Sequence, residues 1–156
     1  MASEMYKDAA RLVLEERWGS LATLDGGTPV ATMVAYAAEP SLGGLLFHLS
    51  GMAAHTRNLL EEPRCSLAIT RPDTGKGDPQ LLPRVSLRGQ AVPIDDEAVE
   101  EARALYIARF PDSEQRFELG DFALFRFVPE EARYVGGFAR ASRITPAQLS
   151  EAVEKP

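Results

Sequence analysis

The sequence predicts an α+β fold in which six or seven mostly antiparallel strands form a small closed or split barrel with peripheral helices. Two observations predict this class. Short apolar runs alternate with turns rich in Gly, Pro and Asp, and segments of helical periodicity stand at both ends of the chain and between strands. The chain has 156 residues and no visible linker or repeat, so we expect one domain over residues 1–156.

The composition argues against several classes of function. A net charge of -6 disfavours non-specific nucleic-acid binding and docking on an anionic membrane. No apolar run approaches transmembrane length and the first residues do not resemble an export signal, so we expect a cytoplasmic protein. The single cysteine, Cys65, fits a reducing compartment as a buried apolar residue. Two histidines are too few for a zinc site of ordinary spacing, so we expect no metal site of that kind.

The first part of the chain is predicted to be a helix followed by a three-strand meander. Ser3–Arg17 has the apolar spacing of an amphipathic helix. The strands Trp18–Leu24 and Val30–Ala37 are joined by Asp25-Gly26-Gly27-Thr28-Pro29, whose residues favour a hairpin turn. Leu45–Leu49 is a short apolar run and supplies the third strand.

The central stretch, LLFHLSGMAAHTRNLLEEPRCSLAI, is predicted to be a strand, a helix and a second strand. A helix over Ala53–Glu62 stops at Pro63, and Cys65–Ile69 returns to strand. A helix N-terminus offers unpaired N–H groups and a positive dipole end to an anion. We therefore predict that this junction holds the phosphate of a cofactor, with donors from Ser50, His55, Thr56, Arg57 and Asn58.

The next segments are predicted to be a loop, a strand and a helix. Residues 71–79 form a long exposed loop, whose Gly75-Lys76 lacks the other residues of a Walker motif. Arg84–Pro93 is a strand in which Gly89 indicates a bulge or a close backbone approach. A helix over Asp95–Arg109 is capped by Asp95 or Asp96 and ends before Pro111.

The last part of the chain is predicted to contain two strands, an irregular segment and a short helix. The strands are Phe122–Val128 and Ala132–Val135, separated by Pro129-Glu130-Glu131, and Gly136–Ser142 is irregular. A capping box at Thr145–Gln148, with proline in the first helical position, opens the C-terminal helix.

Four stretches of this chain resemble the pyridoxamine 5'-phosphate oxidase-like, FMN-binding split-barrel superfamily. They are SLATLDGGTPVATMVAY, the central stretch, RVSLRGQA and ARYVGGFARA. The motifs HTRNL and GGFARA resemble those of the branch of this superfamily that contains heme-utilisation proteins. The resemblance covers nearly the whole chain and implies a split barrel.

The resemblance also implies a homodimer with two cofactor sites at the subunit interface. The flavin ring would lie along the second strand, at Ala31–Val34, which includes Thr32 and Val34. Arg84 matches a position that touches the flavin from the partner or at its edge. The third strand and the following helix would hold the phosphate, through His48, Leu49, Ser50, His55, Thr56 and Arg57.

The sequence departs from the oxidase at three places. Thr32 stands where the oxidase has an arginine, and Ala54 and His55 stand where it has an arginine–lysine pair that grips phosphate. The region of Val128 lacks the tryptophan that flanks the oxidase site. These departures argue against a vitamin-oxidase type of substrate clamp and against that reaction.

Several of these residues also have a structural alternative. Arg57 could pair with Glu61 one turn later rather than with a phosphate. His48 is either a core or interface histidine or an axial ligand to heme iron, and His55 either caps the helix or contacts phosphate.

The remaining candidates divide in the same way. Ser50 and Thr56 could simply cap the helix. Asn58 is interpreted as structural, and either Arg84 or Arg88 lies by the cofactor or both lie on an exposed edge. The segment with Arg133, Phe138 and Arg140 is either a lid over the ring or a solvated loop.

Three functional hypotheses follow. The first is a dimeric FMN flavoprotein that transfers electrons between a small-molecule substrate and an acceptor, with the redox chemistry carried by the flavin and no catalytic residue named. The second is a heme-binding or heme-degrading protein of the same fold. The third is a barrel with a vestigial site and a binding role. A deazaflavin is a further alternative for the cofactor.

Overall fold

The computed structural model describes residues 2–154 of the protein, which form one curled antiparallel sheet with helices around it. The strands in that range are β1 (Trp18–Asp25), β2 (Thr28–Ala35), β3 (Ala37–Ala38), β4 (Leu45–Ser50), β5 (Arg64–Thr70), β6 (Arg84–Pro93), β7 (Phe122–Val135) and β8 (Ala141–Ile144). The helices are α1 (Glu4–Glu15), α2 (Ala54–Glu61), α3 (Val99–Arg109) and α4 (Pro146–Glu151), with 3-10 helices at Pro79–Leu81 and Pro111–Glu118.

The strand order is β2-β1-β5-β6-β7-β4-β3, and β8 pairs with the last residues of β7, Ala132–Val135. The sheet curls into a half-barrel, so the predicted α+β class and split barrel are confirmed. The structure has one or two more strands than predicted over residues 2–154, because β3 and β8 are only two and four residues long.

The core of the barrel is built from alternate residues of its central strands. Leu21 of β1, Leu67 of β5 and Leu87 of β6 are fully buried, while their neighbours along each strand are more exposed. Helix α1 closes this core with Leu12, and the Tyr36 hydroxyl donates a 2.7 Å hydrogen bond to the carbonyl of Val13. Each fully buried leucine contributes about 1.5–3 kcal/mol.

Strand β4 is buried on both faces. Leu45, Phe47 and Leu49 face the barrel core, whereas Leu46 lies in a second apolar cluster with Tyr106 of α3 and Leu124 of β7. This double burial explains why the strand reads as a continuous apolar run rather than an alternating one. It also turns His48, which shares the face of Leu46, toward α3 rather than into the barrel.

Turn and cap chemistry matches the prediction at both ends of the chain. Gly26 and Gly27 have positive φ values of 55° and 90°, as the two-residue hairpin between β1 and β2 requires. Thr145 and Gln148 form the predicted capping box of α4.

The predicted bulge at Gly89 is confirmed, and it corrects the prediction of two separate strands. The register between β6 and β7 shifts between Arg88, which pairs with Glu131, and Gly89, which pairs with Pro129. Glu130 is therefore the extra residue of a bulge, and β7 continues without a break through Pro129. The carbonyl of Val128 lies where a side chain at position 89 would begin. Pro129 is tolerated because it sits at this irregularity.

Two other predictions are wrong in their boundaries. Helix α3 begins at Val99 rather than Asp95, and its N-cap is Ala98, so neither Asp95 nor Asp96 caps it. The preceding residues form a turn in which the N–H of Ala98 donates to the carbonyl of Asp95. The segment predicted to be irregular ends in strand β8, which is satisfied by hydrogen bonds to β7.

Within residues 2–154 no helix is both long and apolar enough to cross a membrane.

Candidate functional site

A cleft of about 290 Å³ opens where β2 and β4 meet the start of α2, beneath α3 and the 3-10 helix Pro111–Glu118. The residues that line it are Met33, Val34, Ala35, His48, Leu49, Ser50, Ala53, His55, Tyr106, Arg116 and Phe122. Five of the nine residues predicted to bind a cofactor therefore line one cleft: Val34, His48, Leu49, Ser50 and His55.

A sixth predicted residue, Thr32, is joined to this group by a hydrogen bond. Its Oγ1 lies 3.1 Å from Nδ1 of His55, so the predicted flavin strand β2 is tied directly to the start of α2. This contact fixes the His55 ring through its Nδ1 and leaves Nε2 as the nitrogen available to a ligand. Burial lowers the pKa of His55, which favours the neutral imidazole.

The start of α2 has no side-chain cap among the residues that the structure describes. Its N-cap is Ala53, and the Ser50 hydroxyl accepts from the N–H of Met52 and donates to Oδ2 of Asp121 at 2.9 Å. The Oγ1 of Thr56 is buried and has no partner within the described chain. The alternative that Ser50 or Thr56 caps this helix is therefore wrong, and its first N–H groups remain open to an anion.

Arg57 lies on the exposed side of α2. Its Nη1 donates to the carbonyl of Met52 at 3.0 Å, and within residues 2–154 it forms no ion pair with Glu61. The pairing of Arg57 with Glu61 is therefore wrong for the described chain, while the exposed side chain and its backbone contact are those of a surface arginine. Its charge is not neutralised by a carboxylate of the described chain, although the side chain does not line the cleft itself.

His48 is enclosed by aromatic rings. It stacks on Phe117 with centroids 3.9 Å apart, and Tyr106 and Phe122 lie 5.6 Å and 5.1 Å away. The residue is 8% exposed, and its Nδ1 is buried without a hydrogen-bond partner in the described chain. Burial, and then the positive charges of Arg116 and Arg103, lower the pKa of His48 to about 4. The imidazole is consequently neutral at pH 7.

Arg84 lies outside the cleft, in a neighbouring groove of about 430 Å³ across β1, β5, β6 and β7. Its Nη1 donates to the carbonyls of Gln80 and Leu82 at 2.7 and 3.2 Å. Met33 lines both the groove and the cleft, so the two depressions adjoin. In one chain, then, Arg84 is near the predicted site but not in it.

The other basic candidates lie elsewhere. Arg88 is exposed and pairs with Glu131 on the bulged part of the sheet. Phe138 is 88% exposed at the tip of the loop between β7 and β8 and does not line the cleft, while Arg140 lies 3.7 Å from Asp8. The lid hypothesis for this loop stays a prediction.

Sequence reasoning missed the upper wall of the cleft. Arg116, from the 3-10 helix Pro111–Glu118, and Phe122, the first residue of β7, line this wall, and Phe117 of the same 3-10 helix stacks on the lining residue His48. The segment between Pro111 and Phe122 has no helical or strand periodicity, so no pattern indicates that it folds back over β4. Asn58, interpreted as structural, is confirmed as such: its amide donates to Oγ1 of Thr23 in the buried contact between α2 and β1.

Comparison with known proteins identifies the class of fold first. The structure superposes on a putative pyridoxamine 5'-phosphate oxidase from Listeria innocua with a TM-score of 0.67 over 86% of this chain and all of that chain, at 18% identity, which shows a shared fold. It superposes on a heme binding protein from Mycobacterium smegmatis with a TM-score of 0.86 and 28% identity, over 97% of this chain and 62% of that one.

The family follows from the sequence. The family model described as "CREG, beta-barrel" matches residues 2–151, and the chain belongs to this family. The predicted fold of the pyridoxamine 5'-phosphate oxidase-like split barrels and the predicted similarity to heme-utilisation proteins are confirmed.

Two curated relatives are heme oxygenases. The chain is 34% identical to the non-canonical chloroplastic heme oxygenase HOZ of Arabidopsis thaliana, over 74% of this chain and 34% of that protein. It is 28% identical to the heme oxygenase HutZ of Vibrio cholerae, over 89% of this chain and 80% of that protein. The chain thus spans about a third of the Arabidopsis protein's length. These homologues act on heme, whereas the flavin-related neighbour is a relative in fold.

Proposed function

We propose that this protein binds heme in the cleft between β2, β4 and α2, and that a homodimer completes the site. The observation that carries the proposal is that two neutral histidines, His48 and His55, line one cleft. Neutral imidazole is the form that ligates iron. The heme-oxygenase relatives support the same reading.

His55 fits an axial ligand better than His48 does. A ligating histidine normally uses one nitrogen for the metal and fixes its ring through the other, and His55 does the latter through Thr32. His48 has no such partner in the described chain, and one face of its ring is covered by Phe117. We therefore propose that Nε2 of His55 would hold the iron, and that His48 would form part of the wall of the cleft.

The acidic groups of heme also find suitable partners. The uncapped start of α2 and the guanidinium of Arg57 offer N–H donors to a propionate. When bound, heme supplies the redox chemistry of its iron. The protein supplies the ligand, the orientation and the exclusion of water, and the relatives' names support heme as the small-molecule substrate.

The homodimer is proposed because the cleft of one chain is incomplete. Its 290 Å³ lies at the lower bound of ligand pockets, which hold about 300–1,000 Å³, and cannot enclose a porphyrin. The adjoining groove exposes 61% of Trp18 and 50% of Met33, side chains that a second copy would cover. We expect Trp18→Arg to convert a dimer to a monomer in sedimentation, because a charge would be buried in the interface. A wild-type chain that sediments as a monomer would contradict the dimer.

The second candidate is FMN, with the protein acting as an oxidoreductase on a small substrate. It is favoured by the open start of α2, by Arg57 and by the Thr56 hydroxyl, whose Oγ1 has no partner among residues 2–154, because a phosphate monoester would fit them. The isoalloxazine ring would then lie along Thr32–Val34. A non-catalytic barrel is what remains if neither cofactor binds.

A hemin titration of the wild type, His55→Ala and His48→Ala tests the leading proposal. We expect the wild type to develop a sharp Soret band, His55→Ala to lose the imidazole-ligated band, and His48→Ala to keep it. A band that is lost only in His48→Ala would exchange the two roles, and one that survives in both variants would contradict histidine ligation.

An FMN titration of Arg57→Ala, with Arg64→Ala as the matched control, tests the second candidate. Both arginines are exposed, but Arg64 pairs with Glu62 outside the cleft. If FMN is the ligand, Arg57→Ala weakens flavin binding about tenfold while Arg64→Ala does not, since hydrogen bonds to charged groups contribute about 1.5–3 kcal/mol. Equal affinities in the three proteins would remove Arg57 from the phosphate site.

A further inference from the structure

The 3-10 helix Pro111–Glu118 forms a roof over the cleft, and its own side chains hold it there. Phe117 stacks on His48 with ring centroids 3.9 Å apart. The guanidinium of Arg103 lies 5.1 Å from the centroid of the Phe117 ring and pairs with Glu118 at 3.6 Å. The buried Ser113 hydroxyl donates to the carbonyl of Phe110 at 2.6 Å. The roof is therefore fixed by Ser113, Phe117 and Arg103, and none of these contacts uses Arg116.

Arg116 is the one formally charged side chain among the described residues that line the cleft. No Asp or Glu occurs in that lining. Within residues 2–154, no carboxylate lies within 4 Å of the Arg116 guanidinium. The carboxylate of Asp121, which does not line the cleft, accepts a hydrogen bond from the hydroxyl of the lining residue Ser50 at 2.9 Å. The cleft therefore presents an uncompensated positive charge to whatever enters it.

The other arginines without an ion pair show that this is unusual in the described chain. Arg57, Arg84 and Arg109 donate to backbone carbonyls, and Arg17 lies over the ring of Phe110. Arg116 and Arg133 make no ion pair and no hydrogen bond to a backbone carbonyl in the described chain. Arg116 lies within hydrogen-bonding reach of the neutral Tyr106 hydroxyl, and Arg133 lines the groove rather than the cleft. Arg116 is also close enough to the His48 ring for its positive charge to lower the pKa of His48.

We infer that Arg116 binds a carboxylate of the ligand from the roof of the cleft, opposite the open start of α2. This inference rests on the proposed function, in which the carboxylate is a propionate of the porphyrin. A guanidinium presents a planar fork that matches a carboxylate and remains charged at every working pH. Arg116 is thus a specificity-determining residue that selects porphyrins with free acids over their esters.

Iron-free protoporphyrin IX tests this inference without axial ligation. Its fluorescence is titrated with the wild type, Arg116→Gln and the control Arg88→Gln, which removes another exposed arginine, one that lies outside the cleft. We expect Arg116→Gln to bind about tenfold or more weakly, and Arg88→Gln to bind as the wild type does. The dimethyl ester is expected to bind the wild type and Arg116→Gln equally. Thermal melts of all three proteins without ligand are expected to coincide.

Each other outcome separates the inference from the proposed function. If the wild type binds protoporphyrin and Arg116→Gln is unaffected, the role of Arg116 is refuted while heme binding stands. If the wild type binds no porphyrin but binds FMN more tightly than riboflavin, and Arg116→Gln abolishes that difference, the anion contact stands with phosphate as its source and the heme proposal fails. If the wild type binds neither porphyrin nor flavin, both fail.

Discussion

The substitution Asn58→Ala tests how the cleft is anchored to the barrel. The Asn58 amide donates to Oγ1 of Thr23 at 3.1 Å, and the two side chains are 6% and 2% exposed. This is a buried polar contact between α2 and β1, and α2 carries the open N-terminus and His55. Removing the amide leaves the buried Thr23 hydroxyl without its donor.

The expected cost follows from that burial. A buried polar group that loses its partner destabilises a protein by about 1–3 kcal/mol. For a chain of this size, each kcal/mol lowers the melting temperature by about 2–4 °C, so Asn58→Ala is expected to melt roughly 2–12 °C below the wild type. Because α2 loses its anchor, we also expect weaker hemin binding.

A double-mutant cycle with Thr23→Val isolates the hydrogen bond. Urea unfolding is measured for the wild type, both single variants and the double variant. Removing both partners leaves no unpaired hydroxyl, so the double variant should be about 1–2 kcal/mol more stable than additivity predicts. Strictly additive costs would refute the reasoning, because they would show that the two side chains do not depend on each other.

Two further predictions concern stability. The pKa of His48 is lowered to about 4 from the usual 6.5, so between these values the unfolded chain binds more protons than the folded chain does. The contribution of the neutral His48 side chain to the free energy of unfolding is therefore complete above pH 6.5 and is lost as the pH falls toward 4. His48→Phe should therefore flatten the decline in urea stability over that window by up to about 3 kcal/mol, and an unchanged pH profile would contradict a buried neutral imidazole. Gly89→Ala places a methyl group against the Val128 carbonyl and should lower the free energy of unfolding by about 1–3 kcal/mol in the same assay. Gly120→Ala, where the space around the glycine is open, should lower it far less, and equal losses would contradict the close approach at Gly89.

Most of the barrel was predictable because its signals are local. The Gly26-Gly27 turn, the Gly89 bulge and the Thr145 capping box each depend on residues that specify one backbone geometry. The errors arose where tertiary pairing overrides local signals. Pro129 suggests a break, yet Gly89 of the neighbouring strand makes room for β7 to continue.

The candidate site was predictable on one side only. The strand-helix unit from Leu45 to Glu62 carries its polar residues in sequence, so His48, Ser50 and His55 could be grouped before the fold was known. Arg116 reaches the cleft, and Phe117 reaches His48, only because the aperiodic segment after α3 folds back over β4. Nothing in the sequence around them indicates that contact.

The central claim is that this cleft takes heme in preference to flavin. The most direct test is to titrate the wild-type protein with hemin and, separately, with FMN over the same concentration range, following absorbance for hemin and fluorescence quenching for FMN. Saturable hemin binding with an imidazole-type Soret band, and at least tenfold weaker binding of FMN, is the predicted result. Stoichiometric binding of FMN, together with hemin binding that does not saturate, would contradict the claim and would favour FMN as the cofactor.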